Sequence, residues 1–198
     1  MRRTVLLAAP LLVLLGACSS SPDGEDLVGP FEDGAEQAYE DQGVDRSDTT
    51  NLSRGVQVED CWVVDADGVQ AIGEAAYGDG DYAVETTGAL FGQVGQEQLS
   101  CPIGRDGEPG LGFSVATTDR SLDDLAALRE EAGYEVVETP DTDLDEDAVL
   151  LTGNDEGTAA VWLDGGLLVG VGGRDLDAEA AVGALEAAVD AVSEHLGD

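Results

Sequence analysis

Carboxylates stand at alternate positions in Asp141-Thr142-Asp143-Leu144-Asp145-Glu146-Asp147, the opening pattern of a calcium-binding loop. Such a loop needs glycine at its sixth position, where the chain turns sharply, and a bidentate glutamate at its twelfth. Glu146 and Thr152 occupy those places. Asp141, Asp143 and Asp145 are the candidates for a cation site, yet the run reads as a solvated acidic loop without a metal. Asp65-Ala66-Asp67-Gly68 and Asp79-Gly80-Asp81 read as turn and cap chemistry. Gly165 to Gly173 is glycine-rich but has Asp175 where GxGxxG needs its third glycine, and no phosphate-binding lysine follows. A turn and an edge strand are expected there. His195, the single histidine, falls in the last turn of the closing helix, where a cation complements the dipole. Ser114 lies in Gly112-Phe113-Ser114-Val115, which is not the nucleophile elbow GxSxG. With 43 acids, carboxylate pairs are too numerous for any one to mark acid-base catalysis. No catalytic residue and no cofactor is assigned.

The cysteines carry more information. Met1, Arg2 and Arg3 precede an apolar run from Val5 to Leu15, too short for a membrane-spanning helix, which needs about 20 apolar residues. Its form is that of a secretory signal h-region. Leu15-Gly16-Ala17-Cys18 resembles the lipobox of bacterial lipoproteins. The resemblance implies thioether attachment of diacylglycerol to Cys18 and cleavage after Ala17; Arg2-Arg3 hints at twin-arginine export, but the leucine-rich core and the absent remainder of that motif favour the general secretory route. One acyl chain holds a protein marginally and two hold it stably, at about 0.8 kcal/mol per buried methylene. Assigning Cys18 to lipid leaves Cys61 and Cys101. In an oxidising compartment they are expected to pair, closing a loop of about 40 residues with a contribution of roughly 4 kcal/mol. The alternative is a metal pair, short of further thiols and with only His195 to recruit.

Charge narrows the partners. The chain has 8 arginines, no lysine and 43 acids; loss of Met1 to Ala17 removes two arginines, leaving 6 against 43 and a formal charge of about −37. Nucleic acid and anionic lipid surfaces are repelled by such a body. Most of these acids are read as surface solvation. Residues 1–17 are thus expected to be a signal peptide. Residues 18–54, with Ser-Ser-Ser-Pro and few large apolar side chains, are expected to be an acylated cysteine and a flexible acidic tether. Phe31 to Glu40 admits a short helix. About 35 flexible residues would set the ends roughly 30–35 Å apart.

Residues 55–198 are expected to form one domain. Asp65 can cap a helix with Val69, Ile72 and Ala76 on one face. Asp81 to Thr87 alternates as a strand, and Gln98 to Gly104 with Leu111 to Thr117 reads as a hairpin. Ser121-Leu122-Asp123-Asp124 opens a second helix that Gly133 stops; Tyr134 to Glu138 is a strand. Ala148 to Thr152, Thr158 to Leu163 and Leu167 to Gly172 form an antiparallel meander. From about Asp177 a long helix keeps Ala181, Val182, Leu185, Ala188, Val189, Val192 and Leu196 on one face. The expected class is α+β: a mostly antiparallel sheet packed by a long C-terminal helix and one or two shorter ones.

This order of elements resembles a family of uncharacterised actinobacterial cell-envelope lipoproteins. The likeness lies in the lipobox, Asp60-Cys61-Trp62-Val63-Val64 before the helix ending near Gly73, Cys101 in a strand, Asp145-Glu146-Asp147-Ala148 before another, and the closing helix. It spans about Cys61 to Leu196, and the chain departs from it with Asp143-Leu144-Asp145 where a Gly-Leu-Gly-like turn is common. The resemblance implies no activity. The expected function is a non-enzymatic binding or interaction module, lipid-anchored at the extracytoplasmic face of the cell membrane, with a small-molecule, lipid or protein partner and no nucleic acid. The alternatives are an envelope hydrolase using a carboxylate pair and a divalent-cation binder.

Overall fold

The structure is a computed structural model that describes residues 24–44, 55–58, 61–84, 88–93, 96–105, 108–155 and 157–197. Cys18 lies outside the described residues. Among the described residues four α-helices accompany the sheet: α1 Gly24–Asp41, α2 Ala66–Tyr77, α3 Leu122–Glu131 and α4 Ala178–Leu196. Its strands are β1 Val56–Val58, β2 Tyr82–Val84, β3 Gly88–Gln93, β4 Gln96–Arg105, β5 Glu108–Thr117, β6 Glu135–Val136, β7 Val149–Asn154, β8 Gly157–Asp164 and β9 Leu167–Arg174. All nine described strands join one sheet in the order β1-β3-β4-β5-β9-β8-β7-β6, with β2 pairing the far half of β4. Every pairing is antiparallel. The α+β architecture with a long closing helix is what the sequence periodicity indicates.

Two meanders, β3-β4-β5 and β7-β8-β9, meet where β5 pairs β9 with Ser114 opposite Gly170. The Gly165-Gly166 turn between β8 and β9 has φ 54° and 89°, the doubly positive geometry that matches strand twist and that glycine adopts without strain. β9 therefore lies in the middle of the sheet, correcting the expectation of an edge strand: its glycines alternate with Leu167, Val169 and Val171, which are buried. β1 and β3 were not expected, because Gly88-Ala-Leu-Phe-Gly-Gln shows no clean alternation.

One sheet face carries the core. Leu99, Cys101 and Ile103 of β4, Leu111, Phe113 and Val115 of β5, and the three buried residues of β9 face α2 and α4. Asp65 and Asp177 cap those helices, accepting from the Gly68 and Ala180 amides at 2.8 and 2.9 Å. The Cys61–Cys101 disulfide, with Cα atoms 6.2 Å apart, ties the loop before α2 to the middle of β4.

The expectation of a flexible tether over 18–54 is corrected for its central part. α1 buries Leu27, Phe31, Ala35 and Tyr39, one residue every fourth position, against the same core. Phe31 stacks on Trp62 with ring centroids 6.0 Å apart, and the Tyr39 hydroxyl donates to the Gly92 carbonyl at 3.3 Å. The Gly24 amide donates to the Asp164 carboxylate at 2.8 Å, so α1 starts against the β8–β9 turn.

Candidate functional site

The opposite face of the sheet has short side chains. Because residues alternate along a strand, Ser100 of β4, Gly112, Ser114 and Ala116 of β5, and Gly170 and Gly172 of β9 all point away from the core. α3 lies along one margin of this face, beside β6 and β7, and none of its residues is buried. Between α3 and the small-residue floor runs a groove of about 660 Å³, within the range of small-molecule sites. Its apolar wall includes Leu125, Leu128, Leu150, Val161 and Leu168, and Leu128 is 43 % exposed.

Three cations line the groove: Arg120, Arg129 and Arg174. They are half of the six arginines that follow Cys18, in a chain with 43 acids. The guanidinium of Arg129 sits 5.3 Å from the centroid of the Tyr134 ring, a cation–π contact that holds it at the rim. Arg174 pairs across the strands with Gly157, and Gly157 with Asn154; Glu135, next to Tyr134, pairs with Gly153. Register thus puts Arg129 and Arg174 at the same end of the sheet. Arg120 lies at the other end, two residues past Thr118, whose amide donates to Gly166 in the β8–β9 turn at 2.9 Å. Arg120 is shared with Asp124, whose carboxyl is held below the usual range by hydrogen bonds from the Ser121 hydroxyl and amide, with a smaller effect from Arg120. Among the described lining residues the one carboxylate is Glu97. Its side chain is buried on the core side, where the Thr117 hydroxyl donates to it at 3.2 Å.

The floor glycines differ in what they tolerate. A Cβ at Gly170 would lie 3.2 Å from Ser114 Oγ and Val161 Cγ1, and one at Gly172 3.1 Å from the Ala159 Cβ. At Gly112 the nearest atom is the Gly172 carbonyl oxygen at 3.4 Å, an ordinary contact. Folding does not require glycine at 112. Glycine inside a strand weakens it and recurs where another molecule approaches the backbone closely. Behind this end of the floor, the Tyr77 hydroxyl donates to the Gly110 carbonyl at 2.7 Å, with the Arg174 carbonyl at 3.3 Å. Burial, and then the Asp175 carboxylate, push that hydroxyl's pKa up.

The residues singled out by sequence disperse. Asp141, Asp143 and Asp145 are all exposed; the Asp145 carboxylate accepts from the Asp147 amide at 3.1 Å and caps a 3-10 turn. Glu186 of α4 accepts from the Thr142 hydroxyl at 2.6 Å and the Asp143 amide at 2.8 Å, pinning the acidic loop to the closing helix. Among the described residues no three His, Cys, Asp or Glu side chains are grouped to hold a metal ion. His195 is at the C-terminal end of α4, beside Asp65, Asp67, Asp190 and Glu194 and away from the groove. Ser114 does belong to the groove, as part of its floor. Nothing in the local sequence of the three arginines marks them as a group. The signal available was scarcity: in so acidic a chain the position of each cation is informative. Comparison with protein-family models, curated proteins and solved structures found no match, which leaves the chemistry of the groove to carry the functional reading.

Proposed function

We propose that this chain is a lipoprotein of the cell envelope, anchored through Cys18 at the extracytoplasmic face of the cell membrane, and that it is a non-enzymatic binding module whose ligand lies in the groove over β5 and β9. The observation that carries the binding reading is the concentration of Arg120, Arg129 and Arg174 around an apolar-walled groove in a chain with 43 acids. A groove of this make suits a ligand with an apolar body and an anionic group. Short floor side chains leave room for the body, and guanidinium groups pair with the anion.

Two measurements test this. Metabolic labelling with a palmitate analogue should tag the chain and fail on Cys18→Ala; equal labelling of both would end the anchor reading. The anionic amphiphile 1-anilinonaphthalene-8-sulfonate should fluoresce on the folded full chain and lose that signal in Gly112→Leu, which fills the floor. Melting temperature serves as the control for folding. An unchanged signal in a folded variant would remove the groove as the binding site.

A further inference from the structure

We infer that the occupant of the groove is an anionic phospholipid drawn from the bilayer that holds the anchor, its acyl chain along the β5–β9 floor and its phosphate paired with Arg129 and Arg174 at one end of that floor. The inference rests on the proposed Cys18 anchor and narrows the ligand of the proposed groove.

The first support is the leash. Six chain steps separate Cys18 from Gly24, a reach of at most about 20 Å at 3.3–3.6 Å per residue. Because the Gly24 amide is bonded to Asp164, the leash arrives at the β8–β9 turn. Gly166 of that turn accepts from the Thr118 amide, and Arg120 follows within two residues. The Arg120 end of the groove is consequently the end nearest the membrane. Were α1 part of a flexible tether instead of docked on the sheet, no end of the molecule would face the bilayer.

Charge supplies the second support. A body carrying about −37 is repelled by anionic headgroups. The arginine-bearing groove, with one buried carboxylate among its described lining residues, is the local exception. At physiological salt fields decay over about 8 Å, so a phosphate at the Arg129 and Arg174 end of the groove responds to those two guanidinium groups more than to acids on the far side of the molecule. The third support is shape. β5 and β9 pair over Leu111 to Thr117, roughly 20 Å at about 3.4 Å per residue, and the half-exposed Leu128 lies alongside. An extended acyl chain fits an open trough of this length.

The test uses the full chain in vesicles of phosphatidylcholine doped with phosphatidylglycerol whose acyl tail carries a photoactivatable diazirine. Mass spectrometry should locate adducts on peptides containing Leu125, Leu128 or Leu168. Adduct yield should fall about tenfold in Gly112→Leu and in the triple variant Arg120→Gln/Arg129→Gln/Arg174→Gln, both folded by melting temperature. Diazirine-labelled phosphatidylcholine in the same vesicles should label the groove about tenfold less. Equal labelling by the two lipids, adducts scattered outside the groove, or labelling by free diazirine-decanoate but not by the vesicle lipid would each overturn the inference. A parallel arm presents the same lipids in detergent micelles, and intact mass reports acylation of Cys18. A chain without acyl mass that still takes phosphatidylglycerol in micelles separates failure of the anchor from failure of the lipid site. A fluorophore-positive chain that takes no phosphatidylglycerol in either format leaves the groove standing and refutes its lipid.

Discussion

Glycines show at the residue scale how far local propensity yields to packing. Alanine is the better helix former by about 1 kcal/mol, yet a Cβ at Gly73 in α2 would be driven into the Tyr82 ring. Gly73→Ala should destabilise the fold by about 1–3 kcal/mol, the usual cost of overpacking. A methyl group at Gly183 in α4 would meet no atom within 4 Å, so Gly183→Ala should stabilise by roughly 0.5–1 kcal/mol. Urea denaturation of the two variants checks the pair, and equal shifts of the same sign would show that propensity alone decides. Neither outcome is legible in sequence, since both glycines sit in helices with similar neighbours. The same limit hid the groove: Arg174 is far in the chain from Arg120 and Arg129, and the three line one groove only through the pairing of β5, β9, β8 and β7.

Among the elements, those with strong punctuation were the easiest to foresee. Asp164-Gly165-Gly166 marks the β8–β9 turn, and Ser121 with Asp124 forms the capping box that starts α3. α1 was obscured by its own composition. Gly29, Pro30 and Gly34 weaken it as an isolated helix, and Pro30 removes an N–H from its ladder. Leu27, Phe31, Ala35 and Tyr39 nevertheless share a stripe, and packing of that stripe supplies what propensity lacks. Gly34 belongs to the same contact, because a Cβ there would meet the Trp62 indole. Phe31→Ala should therefore lower stability by about 3–5 kcal/mol in chemical denaturation. A negligible effect would return 24–41 to the status of a tether.

For the molecule as a whole, the balance of 6 cations against 43 acids after Cys18 makes the compact state self-repelling. Sodium chloride shortens the screening length from about 30 Å at 0.01 M to about 3 Å at 1 M, so the melting temperature should rise with salt. Calcium and magnesium at matched ionic strength should act alike. A rise specific to calcium that Asp143→Asn with Asp145→Asn abolishes would instead mark the acidic loop as a cation site. α1 also has a consequence in time. The chain leaves its synthesis or export machinery from the N-terminal side, so α1 emerges before the rest of the described fold. Its seat combines β1, Trp62 and Gly92, which emerge soon after it, with β8, β9 and α4, which emerge last. Until then the stripe of Leu27, Phe31, Ala35 and Tyr39 has only part of its seat, and contacts so distant in sequence form slowly. A molecule whose first described helix is seated in part by its last reaches its complete fold only when nearly the whole chain has emerged.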